Sequence, residues 1–75
     1  MSEFDRVRWH CRRGLLELDI VLNRFVDSHF ERLDGGQRSA LYRLLALPDN
    51  ELWDLVAGRR EPSDPDSAEI LRYLR

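Results

Sequence analysis

Cysteine occurs once in these 75 residues, at Cys11, so an internal disulfide is excluded. One cysteine with two separated histidines, His10 and His29, also gives no zinc-ligand spacing. A reducing compartment is expected. No apolar run approaches the roughly 20 residues that a bilayer span needs. The polar, acidic start Met1-Ser2-Glu3-Phe4-Asp5 has the character of neither a signal nor a transit peptide. A cytoplasmic chain with no membrane partner is therefore expected. Lysine is missing altogether. All twelve basic residues are arginine, which either reflects codon bias or favours planar, bidentate recognition of carboxylates. Also missing are a glycine-rich phosphate loop, a defensible Ser/His/Asp order, His-Glu-x-x-His and Cys-x-x-Cys. A chain this short has too little interior for a deep catalytic cleft, so an enzyme is not expected.

What is present suits a folded domain. The apolar fraction is 43% and the charged fraction 35%, enough for a core and a solvated surface rather than a disordered tail. Net charge is −2, which offers nucleic acid no global attraction, although Arg6, Arg8, Arg12 and Arg13 concentrate positive charge locally.

The four glycines and three prolines punctuate a helical pattern. Ser2 suits an N-cap for a first helix running to about Arg12, with Phe4, Val7 and Cys11 on one face. Gly14, with no Cβ, suits the left-handed residue that closes that helix, which places Arg12 and Arg13 in its last turn. A long central helix follows. Leu15, Leu18, Leu22, Phe25 and His29 form its apolar stripe, and Asp19, Asn23, Asp27 and Glu31 recur at four-residue steps as a solvated face. Asp34-Gly35-Gly36 precedes a third helix from about Gln37 to Leu45. Pro48-Asp49-Asn50 supplies an N-cap before Glu51 in a fourth helix that Gly58 closes. Asp64-Pro65 opens a fifth, with Ile70, Leu71 and Leu74 as its apolar side. The expected fold is all-α, a small five-helix bundle forming a single domain over residues 1–75, with consecutive helices packed as neighbours. No strict heptad stripe argues for self-association, so a monomer is expected.

The segment richest in chemistry is Arg12-Arg13-Gly14-Leu15-Leu16-Glu17-Leu18-Asp19. Its charges complement helix dipoles, which alone stabilises by about 0.3–1 kcal/mol each. They are equally a candidate binding surface. Glu17 and Asp19 cannot share a proton, because residues two apart on a helix point away from each other. Cys11 on the apolar side reads as packing rather than as a nucleophile, Trp53 as core, and Trp9 as either packing or a partner contact.

With Trp9-His10-Cys11-Arg12-Arg13-Gly14, the continuation Leu16-Glu17-Leu18-Asp19, the Leu44-Leu45 pair before Asp49 and Leu52-Trp53 before Gly58, the chain resembles the succinate dehydrogenase assembly factor family, known in bacteria as SdhE or YgfY-like proteins. The resemblance implies a five-helix protein that promotes covalent attachment of FAD to the flavoprotein subunit of succinate dehydrogenase, and in some bacteria of fumarate reductase. It implies a motif of Arg13, Gly14 and Glu17, supported by Arg12 and Asp19; Arg8 and Trp9, close by in sequence, are further candidates for the partner-binding surface. Leu15 stands where the family often has methionine, a mild exchange. The FAD would be the client's, since a dinucleotide-binding motif is missing and tight independent binding is not expected. The chain would dock on the client and align bound FAD with the client's histidine.

The N-terminal arginines also suit a small regulator, either an antitoxin-like partner or a helical nucleic-acid binder. Steep, log-linear weakening by salt, carried by the arginines alone, would mark that alternative, whereas a protein interface would need Glu17 as well.

Overall fold

The computed structural model describes residues 2–75. It has five α-helices: α1 Glu3–His10, α2 Leu16–His29, α3 Gly35–Leu45, α4 Asp49–Val56 and α5 Pro65–Leu74. A 3₁₀ turn, Phe30–Arg32, extends α2, and no strand occurs among the described residues. The fold is all-α, as expected.

Local chemistry sets most helix boundaries. The Ser2 hydroxyl accepts from the Asp5 amide at 3.1 Å while the Asp5 carboxylate accepts from the Ser2 amide at 3.5 Å, a reciprocal cap on α1. Asp34 and Gln37 cap α3 in the same way, at 2.8 and 3.0 Å. The third helix therefore starts at Gly35, two positions before the expected Gln37, because a capped first turn accommodates Gly35 and Gly36. Asp64 accepts from the Ser67 amide at 3.0 Å and Pro65 opens α5. In α4 the cap position falls on Pro48 and Asp49 already lies inside the helix, where its carboxylate faces the positive end of the dipole. Gly58 closes α4 with φ +81°, and the amides of Gly58 and Arg59 donate to the carbonyls of Leu55 and Asp54. That is the double bond pattern of a left-handed helix stop.

The first helix ends earlier than expected. α1 stops at His10 with Cys11 as its cap in right-handed conformation, so Arg12 and Arg13 lie outside its last turn. Gly14 is left-handed, φ +85°, but it bends the connection rather than closing the helix.

The core gathers Val7 and Cys11 from α1 and its cap, Leu18, Leu22, Phe25 and Val26 from α2, and Ala40, Leu41, Leu44 and Leu45 from α3. Phe30 of the 3₁₀ turn joins it, and Leu52, Leu55, Val56, Ile70, Leu71 and Leu74 complete it from α4 and α5. Fully burying one such leucine or isoleucine contributes about 1.5–3 kcal/mol. Trp53 is half-buried and packs against this core, in line with its expected place. Neighbours in sequence are not always neighbours in space. The most extensive helix pairing joins α3 to α5, and α5 also packs on α2 and α4. The two-sided apolar strip of Ile70, Leu71 and Leu74 inserts among three helices, which short consecutive hairpins would not achieve. His29 stacks on Phe25 with ring centres 5.3 Å apart, at the end of α2, and meets Tyr73 at 4.6 Å.

Candidate functional site

Residues 11–15 join α1 to α2, and two acidic residues decide their shape. Asp19, in the first turns of α2, accepts from the backbone N–H of Arg13 at 2.7 Å and from that of Gly14 at 3.3 Å. One carboxylate thus holds two successive amides, a charge-assisted clamp on the turn. Asn23 donates its side-chain amide to the main-chain carbonyl of Asp19 at 2.8 Å, a bond within α2.

The second acidic residue, Asp49, acts through Arg13, whose side chain points inward with 12% of it exposed. Its Nε donates to Asp49 Oδ1 at 2.7 Å, and its terminal nitrogens donate to the carbonyls of Leu45 and Leu47. A longer bond, 3.4 Å, reaches the His10 carbonyl. Leu45 ends α3 and Asp49 begins α4, so the guanidinium occupies the negative end of one helix dipole beside a carboxylate at the positive end of another. Only a forked, five-donor cation reaches all these acceptors together.

The outward side of this junction differs in character. Trp9 is 65% exposed, Leu16 69% and Ile20 47%, while Arg12 lays its guanidinium 5.6 Å from the Trp9 ring centre. Trp9 therefore faces the surface rather than the core. Glu17 lies in the first turn of α2, exposed, with no ion pair or side-chain hydrogen bond among the described residues. Arg8 pairs with Asp27 at 3.0 Å and lies 5.8 Å from the Phe4 ring. A groove of about 510 Å³ runs between Phe4, Asp5, Arg8, Trp9, Arg12 and Asn23.

The polar stripe of α2 is accordingly more than a solvated face: Asp19 clamps the turn and Asp27 ties α2 to α1. The expectation treated the stripe by itself, and its partners lie on α1 and on the connection. The structure brings Arg8, Trp9, Arg12, Gly14, Glu17 and Asp19 to one junction, with Arg13 turned beneath it. Residue reasoning missed the α3–α4 side, namely Asp49 with the Leu45 and Leu47 carbonyls. It also missed Leu16 and Ile20, whose four-residue spacing off the Leu18–Leu22 line was the available signal.

Beneath the junction lies Cys11, fully buried. Burial pushes its thiol up to about 11, against the opposing pull of Arg13 and Arg8. Such a thiol is packing, not a nucleophile. No group of three histidines, cysteines or carboxylates able to hold a metal ion occurs among the described residues, and no helix there is long and apolar enough to cross a membrane.

Residues 5–75 match a family described as the flavinator of succinate dehydrogenase. The chain is 41% identical over 75 residues to the FAD assembly factor SdhE of Methylococcus capsulatus, covering 100% of this chain and 90% of the relative. It is 42% identical over 74 residues to the protein of that name in Ralstonia nicotianae, covering 93% and 78%. The corresponding protein of Idiomarina loihiensis is 36% identical over 69 residues, covering 92% and 77%. No solved structure matches the chain significantly.

Proposed function

Because this chain belongs to the family of flavinators of succinate dehydrogenase, we propose that it docks on the flavoprotein subunit of that enzyme through the outward face of the α1–α2 junction and promotes covalent attachment of the client's FAD. Fumarate reductase, which carries the same kind of subunit, falls within the proposal. The observation that carries it is the company Glu17 keeps: a carboxylate unpaired among the described residues, in the first turn of α2 beside exposed Leu16 and Ile20 of the same helix, with exposed Trp9 on α1 across the connection. Large exposed apolar side chains with an arginine and a fixed charge are the composition of an interface centre, where tryptophan and arginine dominate binding energy.

The role is assembly rather than catalysis. Joining a flavin to a client histidine requires the two held in reach and alignment, and positioning alone contributes several kcal/mol to such a step. In this reading the client carries the reacting groups, the FAD remains the client's, and this chain acts as a cytoplasmic monomer that stabilises the aligned conformation. Trp9 and the Leu16–Ile20 pair supply buried area, while Arg12 and Glu17 fix register by charge.

Binding of nucleic acid through the N-terminal arginines is disfavoured by where those arginines go. Arg8 is paired with Asp27, Arg13 is turned inward onto Asp49, and Arg12 lies against Trp9, which leaves Arg6 alone of the four uncommitted among the described residues.

The test is Glu17→Gln, supplied with the succinate dehydrogenase flavoprotein in cells lacking their own assembly factor. Covalent flavin is read by in-gel fluorescence, and thermal denaturation runs alongside. The variant loses only a helix-end charge, costing at most about 1 kcal/mol, so it stays folded. Covalent flavin is expected to fall well below the wild-type level. Wild-type flavinylation by a stable Glu17→Gln protein would remove Glu17 from the interface and leave its charge a helix-end device.

A further inference from the structure

We infer that Asp49 is a positioning residue for the docking surface: through Arg13 it fixes the turn that displays Arg12, Gly14 and Glu17, although it sits on another helix. The inference rests on the docking role proposed above and names the element that organises it.

The chain of contacts is continuous. Asp49 Oδ1 accepts from Arg13 Nε at 2.7 Å across 36 residues of sequence. Arg13 is held at its other end by the backbone, where its amide donates to Asp19 at 2.7 Å. The residue next along, Gly14, donates to the same Asp19 carboxylate at 3.3 Å. Arg13 is therefore pinned by side chain and main chain at once, and the peptide that links it to Gly14 lies between the two amides that Asp19 holds. Glu17 rides on the helix that supplies Asp19, two residues before it, and Arg12 precedes Arg13 directly.

Two features separate this arrangement from ordinary packing. The guanidinium has no apolar role in its place; its acceptors are the Asp49 carboxylate, the carbonyls of Leu45 and Leu47 and, at 3.4 Å, that of His10. Its exposure is 12% while that of Asp49 is 41%, so the carboxylate closes the network at the surface rather than filling the core. Without Asp49 the Nε–H would lose its charged partner, and the guanidinium would be held only by neutral carbonyls at its terminal nitrogens, a weaker anchor for the turn. A turn with more freedom binds its partner less well, because the entropy lost in ordering it again subtracts from affinity.

Asp49→Ala, Asp49→Asn and Arg13→Lys are compared with a core control of matched melting temperature, Ile70→Val or Ile70→Ala, which lies in α5 and belongs to no part of the network. Two quantities are read well below the melting temperatures: affinity for purified flavoprotein subunit, and hydrogen exchange at the Arg13 and Gly14 amides. Asp49→Ala and Arg13→Lys are expected to weaken binding about tenfold and to speed exchange at both amides by at least that factor relative to the control. Asp49→Asn keeps an oxygen for Nε and is expected to stay within about threefold of wild type, a rescue that bulk destabilisation would not give. Binding by Asp49→Ala equal to that of the control overturns the inference, whether or not exchange rises. Exchange equal to the control overturns it as well. Failure of the wild-type chain to bind the flavoprotein would instead overturn the docking role, and the exchange ratio would then decide by itself whether Asp49 fixes the turn.

Discussion

Replacing Gly14 by alanine isolates the backbone contribution of the turn. At φ +85° an L-residue with a Cβ is strained by about 1–2 kcal/mol. Nothing lies within 4 Å of the Cβ that alanine would add, so no clash is added to that cost. Alanine also lowers the entropy of the unfolded chain, which returns about 0.4–1 kcal/mol. The net loss is about 1 kcal/mol, and in a domain of this size that lowers the melting temperature by about 4–8 °C. Gly58→Ala is the matched comparison, since φ is +81° there and the added Cβ again meets nothing. Both variants are melted by circular dichroism and both are assayed for support of flavinylation. The two should melt alike, while only Gly14→Ala, which reshapes the turn beneath Arg12 and Glu17, should lose flavinylation support. A Gly14→Ala protein that melts with wild type would refute the strain reasoning, and one that melts lower yet flavinylates normally would refute the link between turn and docking.

Trp9→Ala should leave stability within about 0.5 kcal/mol of wild type, because the ring is largely exposed, but should weaken flavoprotein binding by more than tenfold, as checked by calorimetric titration. Cys11 gives a pH test. Its folded thiol is held at about 11 against an ordinary 9.0, so above pH 9 the unfolded chain releases a proton that the folded chain keeps. Stability should be unaffected by this group below pH 9 and fall by about 2–3 kcal/mol as pH rises to 11, a loss absent from Cys11→Ala in urea titrations.

Elements whose signals are local were legible in the sequence. Ser2, Asp34 and Asp64 all bond amides three residues on, so the residue and its consequence lie in one turn, and the Gly58 stop is equally self-contained. The first junction was harder because its shape is set from a distance. Gly14 was recognisable as left-handed, but Arg13 reaches Asp49, Leu45 and Leu47, and nothing in a window around Gly14 announces those acceptors. The same holds for Asp27, whose partner Arg8 lies on another helix. Family resemblance put the motif residues forward as a group. Their division into inward Arg13 and outward Arg12, Trp9 and Glu17 was not legible, since the sequence writes Arg12 and Arg13 alike and only tertiary packing tells them apart.

The bond from Arg13 to Asp49 also bears on transplanting the motif. A peptide spanning the Arg-Gly-x-x-Glu stretch and the start of α2 would carry Asp19 and its two backbone amides, yet leave the guanidinium with none of its three distant acceptors. Grafting onto a foreign helical hairpin meets the same shortage, because the acceptors come from the mouth of a second interhelical connection. A faithful miniature must import two connections and hold them face to face. Since α5 packs on α2, α3 and α4, the portable unit is the whole bundle rather than a loop, and inhibitors that copy the short stretch alone would need a covalent constraint in place of the missing guanidinium contacts.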